Sequence, residues 1–276
     1  MIDIDRIFYI NLDRRPDRDH NMRTQLNKLD QNPNKIERVS AVDGSILNLD
    51  TISKDIITPK GISDTKMSTI NSRSGVSLTY GAIGCALSHR DIWLKILNDP
   101  AIDSALILED DVMIDPDFVT KYKSYQNQIG KYDVLFLGYH PATIKYLKSI
   151  NNPVFMTTSK VYGLFGYIIT KVGASKLLET FPITNQIDTE IAKILKSELK
   201  ALLIKPDLRL ITSEPSEIAT KFGTDIQINK PHSNKTELFP ISTSGIDMFS
   251  LVMIIVFALL IVLLVNTCID PKSVEP

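Results

Sequence analysis

Apolar residues along the chain fall into short unbroken runs that alternate with stretches of helical spacing. Residues 6–12 (RIFYINL) form the first run, rich in β-formers, and predict a buried strand. Pro16 follows, and Met22, Leu26 and Leu29 at helical spacing predict a helix through Lys28 that Asn32-Pro33 breaks. Residues 36–39 predict a second strand opening into the turn Ala41-Val42-Asp43-Gly44. Residues 45–77 are polar with no firm period, and read as a long excursion of the kind that covers a site. Residues 81–98 predict a helix with Ile83, Leu87, Trp93, Leu94 and Leu97 on one side, ended by Asp99-Pro100. Further strands are expected at 104–108, 133–137, 162–170, 201–204 and 208–212. Helices are expected between them at 115–129, 171–181 and 188–196. This alternation predicts an α/β fold, helical layers around a mainly parallel sheet.

The far end of the chain breaks the pattern. MFSLVMIIVFALLIVLLV, residues 248–265, is apolar except for Ser250 and shows no polar helical face. At about 1.5 Å per residue it gives roughly 27 Å of helix, close to the hydrocarbon thickness of a thin bilayer. The expected organisation is a soluble domain over 1–218, a polar linker over 219–245, one transmembrane helix over 246–265 and a short tail over 266–276. The N-terminal stretch MIDIDRIFYINLDRRPDR is acidic where a signal peptide needs a basic start. Lys221, Lys230 and Lys235 precede the apolar run and Lys272 follows it, which places the large domain on the cytoplasmic side of a single-pass, C-terminally anchored protein. Asn234-Lys235-Thr236 is a glycosylation sequon that would be used only on the lumenal side.

Composition removes several classes. Lys+Arg 31 against Asp+Glu 32 leaves a net charge of -1, without the basic excess of a general nucleic-acid binder. With 43% hydrophobic residues the 276-residue chain can build a core and is not disordered by composition. Its two cysteines, Cys85 and Cys268, lie far apart, which excludes a disulfide framework and a cysteine-based zinc site and suits a reducing compartment.

The sharpest local chemistry is LILEDDV, residues 106–112, where an apolar strand runs into Glu109-Asp110-Asp111. Ligands of open α/β sheets bind outside the carboxyl ends of strands, and adjacent carboxylates that repel one another persist where a cation answers them. Glu109 and Asp111, two residues apart, face the same way in extended chain and suit a hard divalent ion; a solvated acidic turn fits the same residues. Arg14, Arg15 and Arg18 after the first strand suit phosphate recognition, or simply a mixed-charge helix start. His89 beside Ser88 fits a structural hydrogen-bonding role, Cys85 a packed core, and Asp188 a helix N-cap.

Five segments in order carry a resemblance: FYINLDRRPDR (8–18), RVSAVDG (38–44), LTYGAIGCALSHRDIW (78–93), ALILEDDV (105–112) and YDVLFLGY (132–139). The series resembles glycosyltransferase family 25, which includes lipopolysaccharide β-galactosyltransferases and procollagen galactosyltransferases, and weaker similarity continues to Ile218. The resemblance implies a GT-A-like, inverting hexosyltransferase. It would take galactose or glucose from a UDP-sugar donor to a glycan, lipid-linked or protein acceptor, with Mn²⁺ or Mg²⁺. It implies Glu109 and Asp111 as metal ligands. Asn11, Arg14, Arg15, Asp43, Ser88, His89 and Asp110 would lie around the donor. Asp188, with Glu190 behind it, is the carboxylate expected to take the acceptor's proton. Two departures stand out. Ala82 replaces a family Glu, and the run Gly163-Leu164-Phe165-Gly166-Tyr167 lies where relatives tend to carry a polar group. They also fit a catalytically inactive homologue acting as a membrane-anchored binding or assembly module.

Overall fold

The computed structural model describes residues 3–67, 78–195 and 197–213. The chain divides into two compact units, Met1–His232 and Ser233–Pro276, and every described residue lies in the first. The expected linker, anchor and tail lie outside the described residues. Among the described residues no helix is long and apolar enough to cross a membrane.

The first elements are β1 (Arg6–Asn11), α1 (Pro16–Leu26), β2 (Ile36–Ser40), α2 (Pro59–Met67), α3 (Tyr80–Asn98) and β3 (Ser104–Glu109), all but α2 foreshadowed by the apolar pattern. Then come β4 (Val112–Ile114), α4 (Phe118–Gln126), β5 (Val134–Gly138), β6 (Leu147–Ser149) and β7 (Phe155–Thr158). The last described elements are β8 (Gly166–Thr170), α5 (Lys171–Leu178), α6 (Ile187–Ile194), β9 (Ala201–Ile204) and β10 (Ile211–Ser213).

Eight strands form one sheet in the order β2-β1-β3-β8-β5-β9-β7-β6, and β4 and β10 pair separately. The β2–β1, β1–β3 and β5–β9 pairs are parallel. The β3–β8, β8–β5, β9–β7 and β7–β6 pairs are antiparallel. Followed across the sheet, β2, β1, β3, β5, β9 and β6 point one way and only β8 and β7 the other. The sheet is thus mixed in its pairings and mainly parallel in strand direction, consistent with a GT-A-like architecture.

Phe8 in β1, Ile107 in β3, Phe136 in β5 and Ile168 in β8 are at most 1% exposed, so the central strands are covered on both faces, which is why they read as continuous apolar runs. On α3 the buried stripe runs through Ile83, Ala86, Ile92, Trp93 and Ile96; Leu87, Leu94 and Leu97 sit at its margin, partly exposed.

Four local expectations change. The polar excursion contains α2, anchored by a bridge between Ile57 and Ile183 and by Thr58 Oγ1, which accepts from the Gly61 N–H at 3.0 Å. Helix α4 begins at Phe118 because Asp115 turns the chain first, accepting from the Asp117 N–H at 2.8 Å. The strand expected at 162–170 shortens to β8 because Gly163 takes φ +80°, a left-handed conformation that ends extended chain. The hairpin β6–β7, at the sheet's edge, has no counterpart in the apolar pattern.

Candidate active site

Strand β1 lies between β2 and β3, so the connection from β1 goes to one side and the return to β3 comes down on the other. That reversal opens a crevice at the carboxyl ends of these strands, the place where α/β sheets bind ligands. A cleft lies there, lined by Ile10 near the end of β1, by Leu12, Arg14 and Arg18 beyond it, and by residues 41–44 after β2. Gly81, Cys85, Ser88 and His89 of α3 and Glu109–Asp111 after β3 complete it.

One wall is the Ala41–Gly44 turn pressed on α3. A Cβ on Gly44 would meet the Tyr80 carbonyl oxygen at 2.2 Å, and one on Gly84 the Val42 carbonyl oxygen at 2.4 Å, so turn and helix touch backbone to backbone. Ser88 Oγ fastens the contact, accepting from the Val42 N–H at 2.8 Å and donating to the Gly84 carbonyl at 2.7 Å. The turn presents Asp43, whose carboxylate accepts from Arg14 Nε at 2.7 Å and from the Ser45 N–H at 2.9 Å. Burial pushes the Asp43 pKa up, but these donors outweigh it and hold the carboxyl below its ordinary value.

The floor is a buried polar knot. Asn11 is 1% exposed; its Nδ2 donates to Asp110 Oδ2 at 2.7 Å and its Oδ1 accepts from Arg38 at 2.7 Å, tying the ends of β1, β2 and β3 together. Asp110 Oδ1 accepts from Arg18 Nη1 at 2.8 Å. Both oxygens of Asp110 are therefore engaged by the protein, and burial still raises its pKa against the pull of Arg18 and Asn11. The structure turns Asp110 inward, so it and Asn11, both expected around the donor, build the floor. Asp111 faces the cleft more openly, its side chain 38% exposed, with Arg18 Nη1 at 3.4 Å.

Glu109 ends a hydrogen-bonded chain that enters the core. Trp93 Nε1–H donates to the Tyr167 hydroxyl at 2.9 Å, and that hydroxyl lies 2.9 Å from His89 Nδ1. The Glu109 carboxylate can only accept, which assigns the imidazole proton to Nε2 and leaves Nδ1 to accept from the Tyr167 hydroxyl. Nε2–H then donates to Glu109 Oε1 at 3.3 Å. The other oxygen, Oε2, meets no protein donor among the described residues. Tyr167 thus supplies a polar group within the 163–167 run that seemed to lack one.

Cys85 is no ordinary core cysteine. Its thiol lines the cleft 3.9 Å from Glu109 Oε1, and burial, then the charge of Glu109, raise its pKa well above the ordinary thiol value.

Two arginines face four carboxylates across this cleft, Arg14 and Arg18 against Asp43, Glu109, Asp110 and Asp111. Arg14 pairs with Asp43, and Arg18 with both Asp110 and Asp111. Four carboxylates in one lining work against an anionic diphosphate, and a bound cation would offset that. Cys85, His89 and Glu109 bring potential ligand atoms within 4.8 Å of one another, a grouping that could hold a metal ion. Cys85 and His89 are the softer donors of that grouping, whereas the carboxylate oxygens of Glu109 and Asp111 are hard donors of the kind that suit Mg²⁺ or Mn²⁺.

Besides buried Asn11, three expected residues lie off the cleft lining. Arg15 pairs with Asp17 at 2.9 Å beside the start of α1. Glu190 is 3% exposed; its Oε1 accepts from the N–H groups of Thr184 and Asn185 at 3.1 and 2.8 Å, and Oε2 pairs with Lys193. It braces the entry to α6 and has no oxygen left for a reacting proton. Asp188, in the first turn of that helix, is half-buried. Burial raises its pKa against the pull of the Thr189 N–H, Lys160 and the Gly163 N–H, and its charge reaches Cys85. It is not the N-cap; Gln186 is.

Cys85, read as packed core, and Tyr167, given no role, are the residues whose part in the site sequence reasoning missed; Arg18, read as suiting phosphate or a helix start, holds Asp110.

An α/β domain with an acidic ligand crevice at its strand ends is the class that this fold and these residues define. The sequence profile of glycosyltransferase family 25 (LPS biosynthesis protein) matches residues 4–191, and the chain belongs to that family. It is 31% identical over 197 residues to a glycosyltransferase 25 family member of Drosophila pseudoobscura pseudoobscura, covering 68% of this chain and 29% of that protein. It is 29% identical over 224 residues to procollagen galactosyltransferase 2 of Mus musculus, covering 76% and 34%. A Bos taurus relative bearing the name "Probable inactive glycosyltransferase 25 family member 3" is 26% identical over 196 residues, covering 67% and 30%. The match thus spans about a third of the length of these relatives.

Proposed function

We propose that the chain is an inverting hexosyltransferase that moves galactose or glucose from a UDP-sugar to an acceptor hydroxyl on a glycan, lipid-linked sugar or protein. The supporting observation is the cleft at the ends of β1, β2 and β3, where Arg14, Asp43, Glu109 and Asp111 meet. Glu109 and Asp111 would hold the divalent ion, which when bound offsets the charge growing on the departing diphosphate. Arg14 and Asp43 bound the nucleotide side, and Ser88 sets their position. His89 keeps one Glu109 oxygen fixed so that the other stays turned to the cleft. Asp188 takes the proton of the acceptor hydroxyl as it attacks the anomeric carbon from the face opposite the leaving group. A carboxylate with a raised pKa holds that proton better than an ordinary one.

Calorimetric titration of UDP with and without Mn²⁺ tests the reading. Mn²⁺ is expected to tighten UDP binding by about tenfold or more, and Asp111→Ala to abolish that gain. Equal affinity in both conditions overturns it.

A second reading, a sugar-nucleotide binding module without turnover, draws on Asp188 and Glu190 standing off the cleft lining. It predicts Mn²⁺-dependent UDP binding with no hydrolysis of any UDP-hexose. In either reading we place the domain on the cytoplasmic side of a membrane that holds residues 246–265, from the apolar run and the lysine bias alone.

A further inference from the structure

Beyond Asp188, away from the cleft, two tyrosines and two lysines gather in an arrangement that the donor reading does not use. The rings of Tyr146 and Tyr162 lie 6.0 Å apart at 51°. Lys160 Nζ sits 4.6 Å from the Tyr162 centroid and 6.0 Å from that of Tyr146, and Lys145 Nζ 5.1 Å from Tyr146. Both rings are partly exposed and Lys145 is exposed.

Two buried threonines set this surface. Thr143 Oγ1 accepts from the Tyr162 N–H at 2.9 Å, and the Tyr162 carbonyl accepts from the His140 N–H at 2.8 Å. Thr158 Oγ1 donates to the Lys160 carbonyl at 2.6 Å, and lies 3.2 Å from the Tyr146 carbonyl. Among the described residues neither ammonium is in a salt bridge; the acid whose charge acts on Lys160 is Asp188. Gly163, next to Tyr162, is held at φ +80° and gives its N–H to Asp188. The cluster thus reaches the proposed base through Lys160 and through Gly163, the chain neighbour of Tyr162, while the charge of that base also acts on Cys85 in the cleft.

We propose that Tyr146, Tyr162, Lys145 and Lys160 form a subsite for an acceptor glycan that carries an anionic group, carboxylate or phosphate. The inference rests on the transferase reading and adds the acceptor's chemistry to it. A pyranose presents an apolar C–H face that packs on an aromatic ring, while its hydroxyls stay in water. Ammonium groups beside those rings attract a carboxylate or phosphate as point charges, and repel a cationic sugar. A glycan seated there would turn a hydroxyl toward Asp188.

Lysine footprinting on the full chain, reconstituted in neutral lipid vesicles, tests this. Acetylation of Lys145 and Lys160 is followed by mass spectrometry with glucose, glucuronic acid, glucose 6-phosphate or glucosamine present. Either acidic sugar is expected to protect Lys160 at about tenfold lower concentration than glucose, and glucosamine to protect no better than glucose. The arm that protects more strongly distinguishes carboxylate from phosphate. In Lys145→Glu/Lys160→Glu, saturation-transfer NMR should show the preference reversed toward glucosamine, with the near-ultraviolet circular dichroism of buried Trp93 unchanged. Tyr146→Ala should weaken glucose and glucuronic acid alike.

Equal protection by all four sugars overturns the proposal. So does a charge-reversed chain, native by Trp93, that keeps the original preference. Protection by anionic vesicles but by no sugar would make the patch a membrane contact, with exposed Ile144 and Ile150 beside it, and also overturns it. UDP binding measured on the same samples separates the two claims. If UDP binds with Mn²⁺ while sugars show no charge preference, the subsite falls and the donor reading stands. If the preference holds and reverses while UDP fails to bind, the donor reading falls and an anionic-sugar site remains.

Discussion

Ser88 and His89 are neighbours in the chain and act on different parts of the cleft. Ser88 looks outward to the Val42 N–H and fixes the turn that carries Asp43; His89 looks inward and links Glu109 to the core. Their separate partners give separate predictions. Removing the Tyr167 hydroxyl strands two buried groups, the indole N–H and His89 Nδ1. Tyr167→Phe is expected to lower stability by about 3 kcal/mol, read from the denaturant midpoint, and to weaken Mn²⁺-dependent UDP binding as Glu109 loses its fixed orientation. Asp188 behaves oppositely. Its folded pKa is raised, so the charged form is disfavoured by folding, and this cost is present above the raised value and disappears below the ordinary aspartate value of about 3.9. Asp188→Asn should therefore raise the Tm at pH 7, and the gain should shrink to nothing as the pH falls toward about 4. If Asp188 is the base, the same variant loses transfer by about a hundredfold or more while UDP binding holds.

At the scale of elements, helix α3 carries most of the site. Thr79 caps it, accepting from the Ala82 N–H at 3.0 Å, and its buried stripe packs on the sheet while Gly81, Cys85, Ser88 and His89 turn to the cleft. A helical glycine ordinarily gains about 1 kcal/mol on replacement by alanine. At Gly84 the new methyl would stand 2.4 Å from the Val42 oxygen, and backbone cannot rotate aside as a side chain can. Overpacking costs about 1–3 kcal/mol, so Gly84→Ala should destabilise the domain by up to about 2 kcal/mol net. It should also weaken UDP binding, checked by thermal unfolding and calorimetry together. Elements made by one continuous period were legible: β1, α3, β3 and β5 lie within a residue or two of expectation. Helix α2 and the β6–β7 hairpin were not, because their support comes from distant residues such as Ile183, Leu203 and Ile204, and local periodicity carries no trace of such partners.

Across the whole domain, strand order decides which of the legible residues meet. Glu109–Asp111 announced themselves because charge follows an apolar run, and the crevice beside β1 brought Arg14, Asp43, Ser88 and His89 to them. The inward turn of Asp110, the bracing role of Glu190 and the parts played by Cys85 and Tyr167 had no local sign, since each depends on a contact made in three dimensions. His89 and Tyr167, for instance, are 78 positions apart. The apolar C-terminal run yields a prediction for the intact chain. After alkaline carbonate washing the full chain should stay with the membrane pellet, and a chain ending at residue 218 should move to the supernatant.

The contact between Gly44 and Gly84 has an evolutionary consequence. Two main chains already in touch leave no room for that boundary to be tightened, and any bulkier residue would pry it apart. Variation in what the cleft binds therefore has to arise at the rim, through side chains that can be exchanged without disturbing the seam, while the seam itself stays glycine.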